Sequence, residues 1–261
     1  MDIEAAIELI NDLDKTALAI IKHNNACGCA VRDTLLQAWK DALAADPVSA
    51  FGGIIATNAI VDKITAEEIN KIFFEVIIAP GYEEEALEIL EKKKNRIILL
   101  NKNTKPSAVK FRSALSGVRG QERDTKKETP ADLKQVTKKA PTAKEIEDLL
   151  FANTLVKHSK SNAIVLAKDK ALVASGIGQT SRVDALKQAV EKADNFGLDL
   201  NGAVMASDAF FPFPDCVEIA HKAGIRSVIH PGGSIRDNES VDYCNENDMA
   251  MVMTGFRHFK H

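Results

Sequence analysis

Long apolar runs are missing from this chain of 261 residues. None approaches the roughly 20 residues a membrane-spanning helix needs. The opening stretch, MDIEAAIELIND, also lacks the charged-then-apolar plan of a secretory signal. No membrane partner is expected. An excess of one charge is missing too: a formal net charge of −3 carries neither the basic footprint of a nucleic-acid binder nor an attraction to anionic lipid. Cysteine is scarce. Cys27, Cys29, Cys216 and Cys244 are too few to staple a chain of this size, and reduced thiols fit a cytoplasmic protein. What is present is ordinary for a soluble protein: 45% hydrophobic and 27% charged residues, enough to bury a sizeable core as one domain or as two similar halves.

Helical and strand patterns alternate along the chain. Ile3, Ile7 and Ile10 share one helical face, and Leu18 to Ile21 follows as an apolar strand. A helix over about 32–45 carries the stripe Leu35, Leu36, Trp39 and Leu43. Gly53 to Thr57 reads as a strand, Thr65-x-x-Glu68 as a capping box, and Val76 to Ala79 as a strand stopped by Pro80-Gly81. A helix with an acidic start at Glu83 to Glu85 and a basic end at Lys92 to Lys94 leads to a last strand, Arg96 to Leu100. Residues 101–141 change character, rich in Lys, Thr, Gln and Pro, with a strand-like piece around Val109 to Val118, and read as a solvated connector. From the capping box Thr142-x-x-Glu145 the alternation resumes, with strands at Ala163 to Ala167, Leu172 to Ala174, Ala203 to Ala206, Ser227 to His230 and Met249 to Met253. Short, wholly apolar strands between helices predict an α/β sheet covered on both faces. Moreover VIIAPG is echoed by VIHPGG, and GGIIATNAIV by GAVMASDAFF, which suggests a duplicated unit with a ligand cleft at strand ends. The expected division is 1–104, a connector 105–141, and 142–261.

Candidate chemistry clusters at those strand ends. Lys22-His23 follows the Leu18 to Ile21 strand; a histidine there suits a general base and a lysine an oxyanion partner, while a plain surface pair at a loop is, taken by itself, the commoner case. Cys27-Gly28-Cys29 has the wrong spacing for a zinc site and no paired ligands elsewhere, so no metal is expected. The Gly52-Gly53 pair after Phe51 permits a close approach of backbone to ligand, or a tight turn. Gly176-x-Gly178-x-x-Ser181-Arg182 opens a helix, whose N-terminus attracts anions, but lacks the third glycine of a dinucleotide fingerprint. Pro231-Gly232-Gly233-Ser234 is a weaker candidate of the same kind. Beyond the Ala203 strand stands SDAFFPFPD, where Asp208 precedes Phe210, Phe211, Pro212 and Phe213; such a cluster suits a flat ligand, or a core plug. The tail, with Phe256, Arg257, His258, Phe259 and Lys260, reads as a frayed end or as a packed basic and aromatic segment.

In order, the blocks KHNNACG, DPVSAFGG, FEVIIAPGYEEEAL, KSNAIVLAK, GIGQTSR, SDAFFPFPD, HPGGS and RHFKH resemble the transformylase part of the AICAR transformylase/IMP cyclohydrolase family, over nearly the whole chain. The resemblance implies two cytidine-deaminase-like halves, each a mostly parallel sheet with helices on both faces and no zinc. It implies formyl transfer from the co-substrate 10-formyltetrahydrofolate to the 5-amine of AICAR, with Lys22, His23 and Asn162 as the catalytic group. Arg182 and Arg257 are implied nucleotide contacts, Arg257 at the phosphate, with Glu75 at the ribose. Phe51, Gly52, Asp208, Phe210, Pro212 and Phe213 are implied to border AICAR and the pterin. Members of the family act as homodimers with active sites at the subunit interface, and no nucleic acid or membrane is implied. They also carry, upstream of the Lys-His block, an R-Y-G-x-N-P-H-Q motif and a cyclohydrolase domain. Neither is found before Lys22, so the expectation is a truncated transformylase without cyclohydrolase activity; a fragment that only holds AICAR or folate is the alternative.

Overall fold

The computed structural model describes residues 1–102 and 107–260. In chain order its elements are α1 (Asp2–Asn11), β1 (Ala17–Lys22), β2 (Asn25–Val31), α2 (Leu35–Ala45), β3 (Gly53–Thr57), α3 (Lys63–Ile69), β4 (Phe74–Ala79), α4 (Glu84–Glu91) and β5 (Ile97–Leu100). The ribbon β6 (Val109–Ala114) and β7 (Gly117–Glu122) and the short β8 (Lys134–Gln135) follow. Then come α5 (Ala143–Lys157), β9 (Ile164–Lys168), β10 (Ala171–Gly176), α6 (Arg182–Asn195), β11 (Val204–Ser207), α7 (Asp215–Lys222), β12 (Ser227–His230), α8 (Asp237–Glu246) and β13 (Ala250–Met253).

Eleven strands pair in one sheet, in the order β5-β4-β3-β1-β2-β10-β9-β11-β12-β13-β8, and β6–β7 stand apart as a two-stranded ribbon. On either side of the β2–β10 seam the order is the same. A hairpin lies innermost, a third strand pairs antiparallel with it, and two further strands continue parallel to the third. Parallel pairing therefore occupies the two flanks, β3–β4–β5 and β11–β12–β13. The centre is antiparallel, because the β1–β2 and β9–β10 strands are joined by tight turns that reverse the chain. The seam itself pairs antiparallel at Ala171 and Ala30, so the two five-stranded wings run in opposite senses. The boundary expected at 104/105 falls outside the described residues.

Alternation along the strands explains the layers. Ala17, Ala19 and Ile21 join a core with α1 and α5 on one face, whereas Leu18 and Ile20 join a second core under α2, α3 and α4. In the other wing Val165 and Ala167 belong to the first core, and Ile164 and Leu166 to a third under α6, α7 and α8. One core thus runs beneath both wings, and two separate cores cover the opposite face. Burial of each large aliphatic side chain there is worth about 1.5–3 kcal/mol. Two glycines let helices descend onto the sheet. A Cβ at Gly28 would sit 2.1 Å from the Ala42 carbonyl oxygen of α2, and one at Gly176 would sit 1.8 Å from that of Ala185 in α6.

The structure departs from the sequence reading at β2 and at the start of α3. The stretch Asn25–Val31, to which the sequence patterns assign no element, is a strand: His23 and Asn24 take left-handed backbone angles (φ 51° and 65°) and close a tight hairpin, with Lys22 opposite Asn25. Cys27 and Cys29 alternate to opposite faces of β2, one in the α2–α4 core and one in the α1–α5 core, so they cannot share a metal ion. The cap of α3 is Asp62, whose carboxylate accepts the Thr65 amide at 2.7 Å; the helix starts before Thr65, which is buried inside it. The Thr142–Glu145 capping box on α5 is formed as expected, with Glu145 also accepting the Thr142 amide at 2.7 Å.

Candidate active site

The strand registers gather the candidate residues along one edge of the sheet. Lys22 opposes Asn25, Ile21 opposes Ile54, and Gly53 opposes Phe74, so the β1–β2 turn and the starts of β3 and β4 share that edge. In the other wing Ile164 opposes both Gly176 and Ser207, which brings Asn162, the opening of α6 and Asp208 to the same edge.

Lys22 ends β1, and its Nζ donates to the carbonyl oxygens of Phe51 (2.8 Å) and Gly52 (3.1 Å). Both acceptors are neutral carbonyls, and this pair of bonds leaves one N–H of the ammonium unused. Gly52 has φ 68°, and its amide bonds the Phe73 carbonyl at 2.9 Å, a turn that a side chain at this position would strain. Phe51 projects outward, 64% exposed, with Phe73 beside it at 5.2 Å between ring centres. His23 stands at the tip of the hairpin, exposed.

Across the seam Arg182, the first residue of α6, is the hub. Its Nη2 donates to Asn162 Oδ1 (3.1 Å) and Asp208 Oδ1 (3.2 Å), and its Nε donates to Ser207 Oγ (3.1 Å). The bond from Arg182 fixes which end of the Asn162 amide is oxygen, and Nδ2 then donates to the Thr180 carbonyl at 3.1 Å. The backbones of Asn162 and Gln179 also exchange bonds at 3.2 and 3.3 Å, which hold the GIGQTSR loop against Asn162. Asp208 is buried, and its Oδ2 has no partner among the described residues. Burying a carboxylate is tolerable here because Arg182 lies against it.

The two clusters are tied through Asn25, whose Oδ1 accepts the Lys160 amide at 3.0 Å. The tail reinforces the tie: Ser161 donates its amide to the Lys260 carbonyl at 2.9 Å, and Lys260 Nζ donates to Asn24 O (3.2 Å) and His158 O (2.7 Å). Burial, with Lys110 and Arg112 nearby, pushes the Lys260 amine down to about 8. The tail is therefore packed and not frayed through Lys260. His258 is buried between Asp124 (2.5 Å) and Glu128 (3.1 Å); burial alone would lower its pKa, but the two carboxylates win and raise it to about 9.

The aromatic cluster divides. Phe211 is a core plug, fully buried against His230 with ring centres 4.7 Å apart. Phe210 is half-buried, and Pro212 and Phe213 face outward, Phe213 beneath the Arg236 guanidinium at 4.9 Å. Burial, with Arg182 nearby, pushes His230 down to about 3, so its ring is neutral, with Nδ1 accepting the Gly232 amide at 3.0 Å. The Gly233 and Ser234 amides point at the Asp237 carboxylate (2.7 and 3.1 Å), which takes the place an external anion would have at HPGGS. Arg257 is exposed and stacks on Phe259 at 4.3 Å. Glu75 is exposed at the start of β4, where the β3–β4 register slips. Six strand positions separate β4 from β11 in the sheet order, roughly 30 Å at 4.8 Å per strand, so within one chain Glu75 and Asp208 do not meet on one small ligand.

Sequence reasoning quoted Asn25, Ser207, Lys260 and Asp46 within their blocks but gave none of them a role of its own. Asp46 has a sequence trace, since it opens the DPVSAFGG turn that delivers the Phe51 and Gly52 carbonyls. The cavity of about 300 Å³ between α1, the β6–β7 ribbon and the tail lies elsewhere. Its charges are largely paired internally, Lys157 and His158 with Asp12, and Lys110 and Arg123 with Glu8.

Residues 1–192 match the family model described as the AICARFT/IMPCHase bienzyme. The chain belongs to that family. Over its whole length it is 67% identical to the bifunctional purine biosynthesis protein PurH of Bacteroides thetaiotaomicron, of which it covers 52%. It is 52% identical to PurH of Persephonella marina and 50% identical to that of Aquifex aeolicus, again over all of this chain and 51% of each relative. The chain thus spans about half the length of the curated AICARFT/IMPCHase relatives it matches. That membership agrees with the resemblance drawn from the KHNNACG to RHFKH blocks.

Proposed function

We propose that this chain carries formyl transfer from 10-formyltetrahydrofolate to the 5-amino group of AICAR, a step of purine (IMP) biosynthesis in the cytoplasm. The observation that carries the reading is the family match across residues 1–192, which contains Lys22, His23, Asn162 and Arg182. The chemistry of those side chains supports it. The AICAR amine is conjugated with the neighbouring carboxamide and is a weak nucleophile, so its attack on the formyl carbon needs help at both ends.

In this mechanism the amine nitrogen bonds the formyl carbon and the carbonyl electrons move onto oxygen. His23 takes the amine proton, and the Lys22 ammonium stabilises the oxyanion. Collapse of the tetrahedral adduct breaks the bond to N10 of the folate, which picks up a proton as it leaves. Formyl-AICAR and tetrahydrofolate result. Asn162, its oxygen held by Arg182, presents its remaining N–H and lone pair to orient amine and formyl group together.

In the same reading Arg182 and Asp208 flank the nucleotide, Arg257 meets its phosphate and Glu75 its ribose. Phe51, Gly52, Phe210, Pro212 and Phe213 border the rings. The spacing of Glu75 from Asp208 fits a homodimer in which two chains share each site. The repeated wing order supports two cytidine-deaminase-like halves, 1–104 and 142–261, linked by 105–141.

Incubating the purified chain with AICAR and 10-formyltetrahydrofolate, and following tetrahydrofolate release, tests the reading. Turnover that disappears in Lys22→Ala upholds it. Binding of both substrates without any turnover would overturn it in favour of a holding fragment.

A further inference from the structure

The Lys22 ammonium is placed by a turn, and the turn is placed by one buried carboxylate. Asp46 ends α2, only 2% exposed. Its Oδ1 accepts the Ser49 amide at 2.8 Å and its backbone carbonyl accepts the Ala50 amide at 3.2 Å, which folds 46–53 into the turn whose Phe51 and Gly52 carbonyls hold Lys22. The other carboxylate oxygen, Oδ2, meets Lys192 Nζ at 2.5 Å. Lys192 lies on α6, the helix whose first residue, Arg182, holds Asn162. Burial alone would raise the Asp46 carboxyl, but the bonds from Lys192 and Ser49 hold it below the ordinary range.

We propose that the Asp46–Lys192 ion pair is a positioning device that couples the two wings, setting the Lys22 ammonium of one relative to the Asn162–Arg182 pair of the other. It deepens the formyl-transfer reading and rests on it for its kinetic consequence. Neither residue touches the reacting atoms. Each acts through what it holds: Asp46 through the Phe51 and Gly52 carbonyls, Lys192 through the setting of α6. Reaction geometry is steep in distance, with a displacement of about 1 Å able to cost about a hundredfold in rate.

The test uses Asp46→Asn, Lys192→Met, Lys192→Arg and the Asp46→Asn/Lys192→Met double variant. Formyl transfer should fall about 10- to 100-fold in kcat in each of the first two, with the KM for AICAR changed less than about threefold. The double variant should be no slower than the slower single, as for two groups acting as one unit, and Lys192→Arg should recover most of the rate. Losses that multiply in the double variant would overturn the coupling. A second readout is independent of turnover: the NMR signal of the Lys22 ammonium, assigned by its disappearance in Lys22→Arg. It should shift in folded Lys192→Met, whose altered side chain lies partly at the surface, and return in Lys192→Arg. An unmoved signal would overturn the proposal. If the signal moves as expected while Lys22→Ala retains full transfer, the positioning stands and the catalytic reading of Lys22 falls.

Discussion

The corner after β3 and the corner after β11 occupy the same place in the two wings, and they have opposite characters. After β3, Thr57 and Asn58 are spent entirely on backbone. Asn58 accepts the Ala17 amide at 2.9 Å and donates to the carbonyls of Leu13 and Lys15, both at 2.8 Å, while Thr57 donates to Ala17 O at 2.7 Å. After β11, Ser207 and Asp208 receive the Arg182 guanidinium instead, and one oxygen of Asp208 stays unpartnered. A neutral amide that satisfies three backbone groups is a fastener. A buried carboxylate held by one arginine is a charged group kept in place. Equivalent positions in a repeated order can thus diverge into a structural corner and a candidate chemical one, and one atom of side chain, the nitrogen of Asn58 against the oxygen of Asp208, makes the difference.

The largest expected effect contrasts chemistry with stability. Lys22→Ala and His23→Ala should each lower formyl transfer by about 10²–10⁴-fold. Their melting temperatures should stay near that of the parent, because His23 is exposed and Lys22 bonds only turn carbonyls. Asn58→Ala should do the reverse, weakening the fold by about 1–3 kcal/mol for the backbone groups left unpaired. A transfer rate near the parent's in either of the first two variants would remove the chemical role from that residue.

Within the second corner, Phe211→Ala should cost about 3–5 kcal/mol of stability, since it empties a fully buried site. Phe213→Ala should leave urea unfolding nearly unchanged and weaken AICAR or folate binding instead. Equal destabilisation by the two would mean that the whole aromatic cluster is packing.

Exchanging the corners sharpens the comparison further. Asp208→Asn leaves Arg182 without its buried counter-charge and should destabilise by about 3 kcal/mol. Asn58→Asp sets an acceptor-only carboxylate against two carbonyls and should cost about 2 kcal/mol or more. Both are read by denaturant titration at pH 7, and a harmless Asn58→Asp would show that its donors are not needed.

The most gradual effect is a pH dependence at the tail. His258 has its pKa raised from 6.5 to about 9. Its contribution is fully present below about pH 6.5 and is lost as pH rises through about 9, by up to about 3 kcal/mol. His258→Gln should abolish that decline in unfolding free energy between pH 6 and 9; an identical decline in the variant would assign it to other groups.

Much of this was readable because the signals are local. The apolar strands Leu18 to Ile21 and Ala203 to Ala206 stand between recognisable turns, Thr142 and Glu145 spell their own cap, and Lys22 and Asp208 follow directly from strand ends. The strand β2 was not readable, because Asn-Ala-Cys-Gly-Cys-Ala-Val carries little β-branched or aromatic content and is held by its neighbours on both sides. Nor was the Asp62 cap, since Thr65-x-x-Glu68 offers a competing pattern within the same helix. The Asp46–Lys192 pair joins two helices far apart in sequence, and no local pattern announces such a partner. The division of the phenylalanines likewise follows from which of them turn under α7 and α8, a tertiary fact.

The bond from Lys260 to Asn24 spans 236 residues, whereas the β1–β2 hairpin beside it closes over a two-residue turn. Contacts between distant residues carry a larger entropy of closure and form late, after local pairings are in place. During synthesis the hairpin bearing Lys22 and His23 emerges well before the tail, so its tie to the Lys160–Asn162 segment through Lys260 waits until residue 260 has left the ribosome. The β1–β2–β3 and β9–β10–β11 strands that frame the candidate site are therefore made before the tail contact that ties its two clusters together.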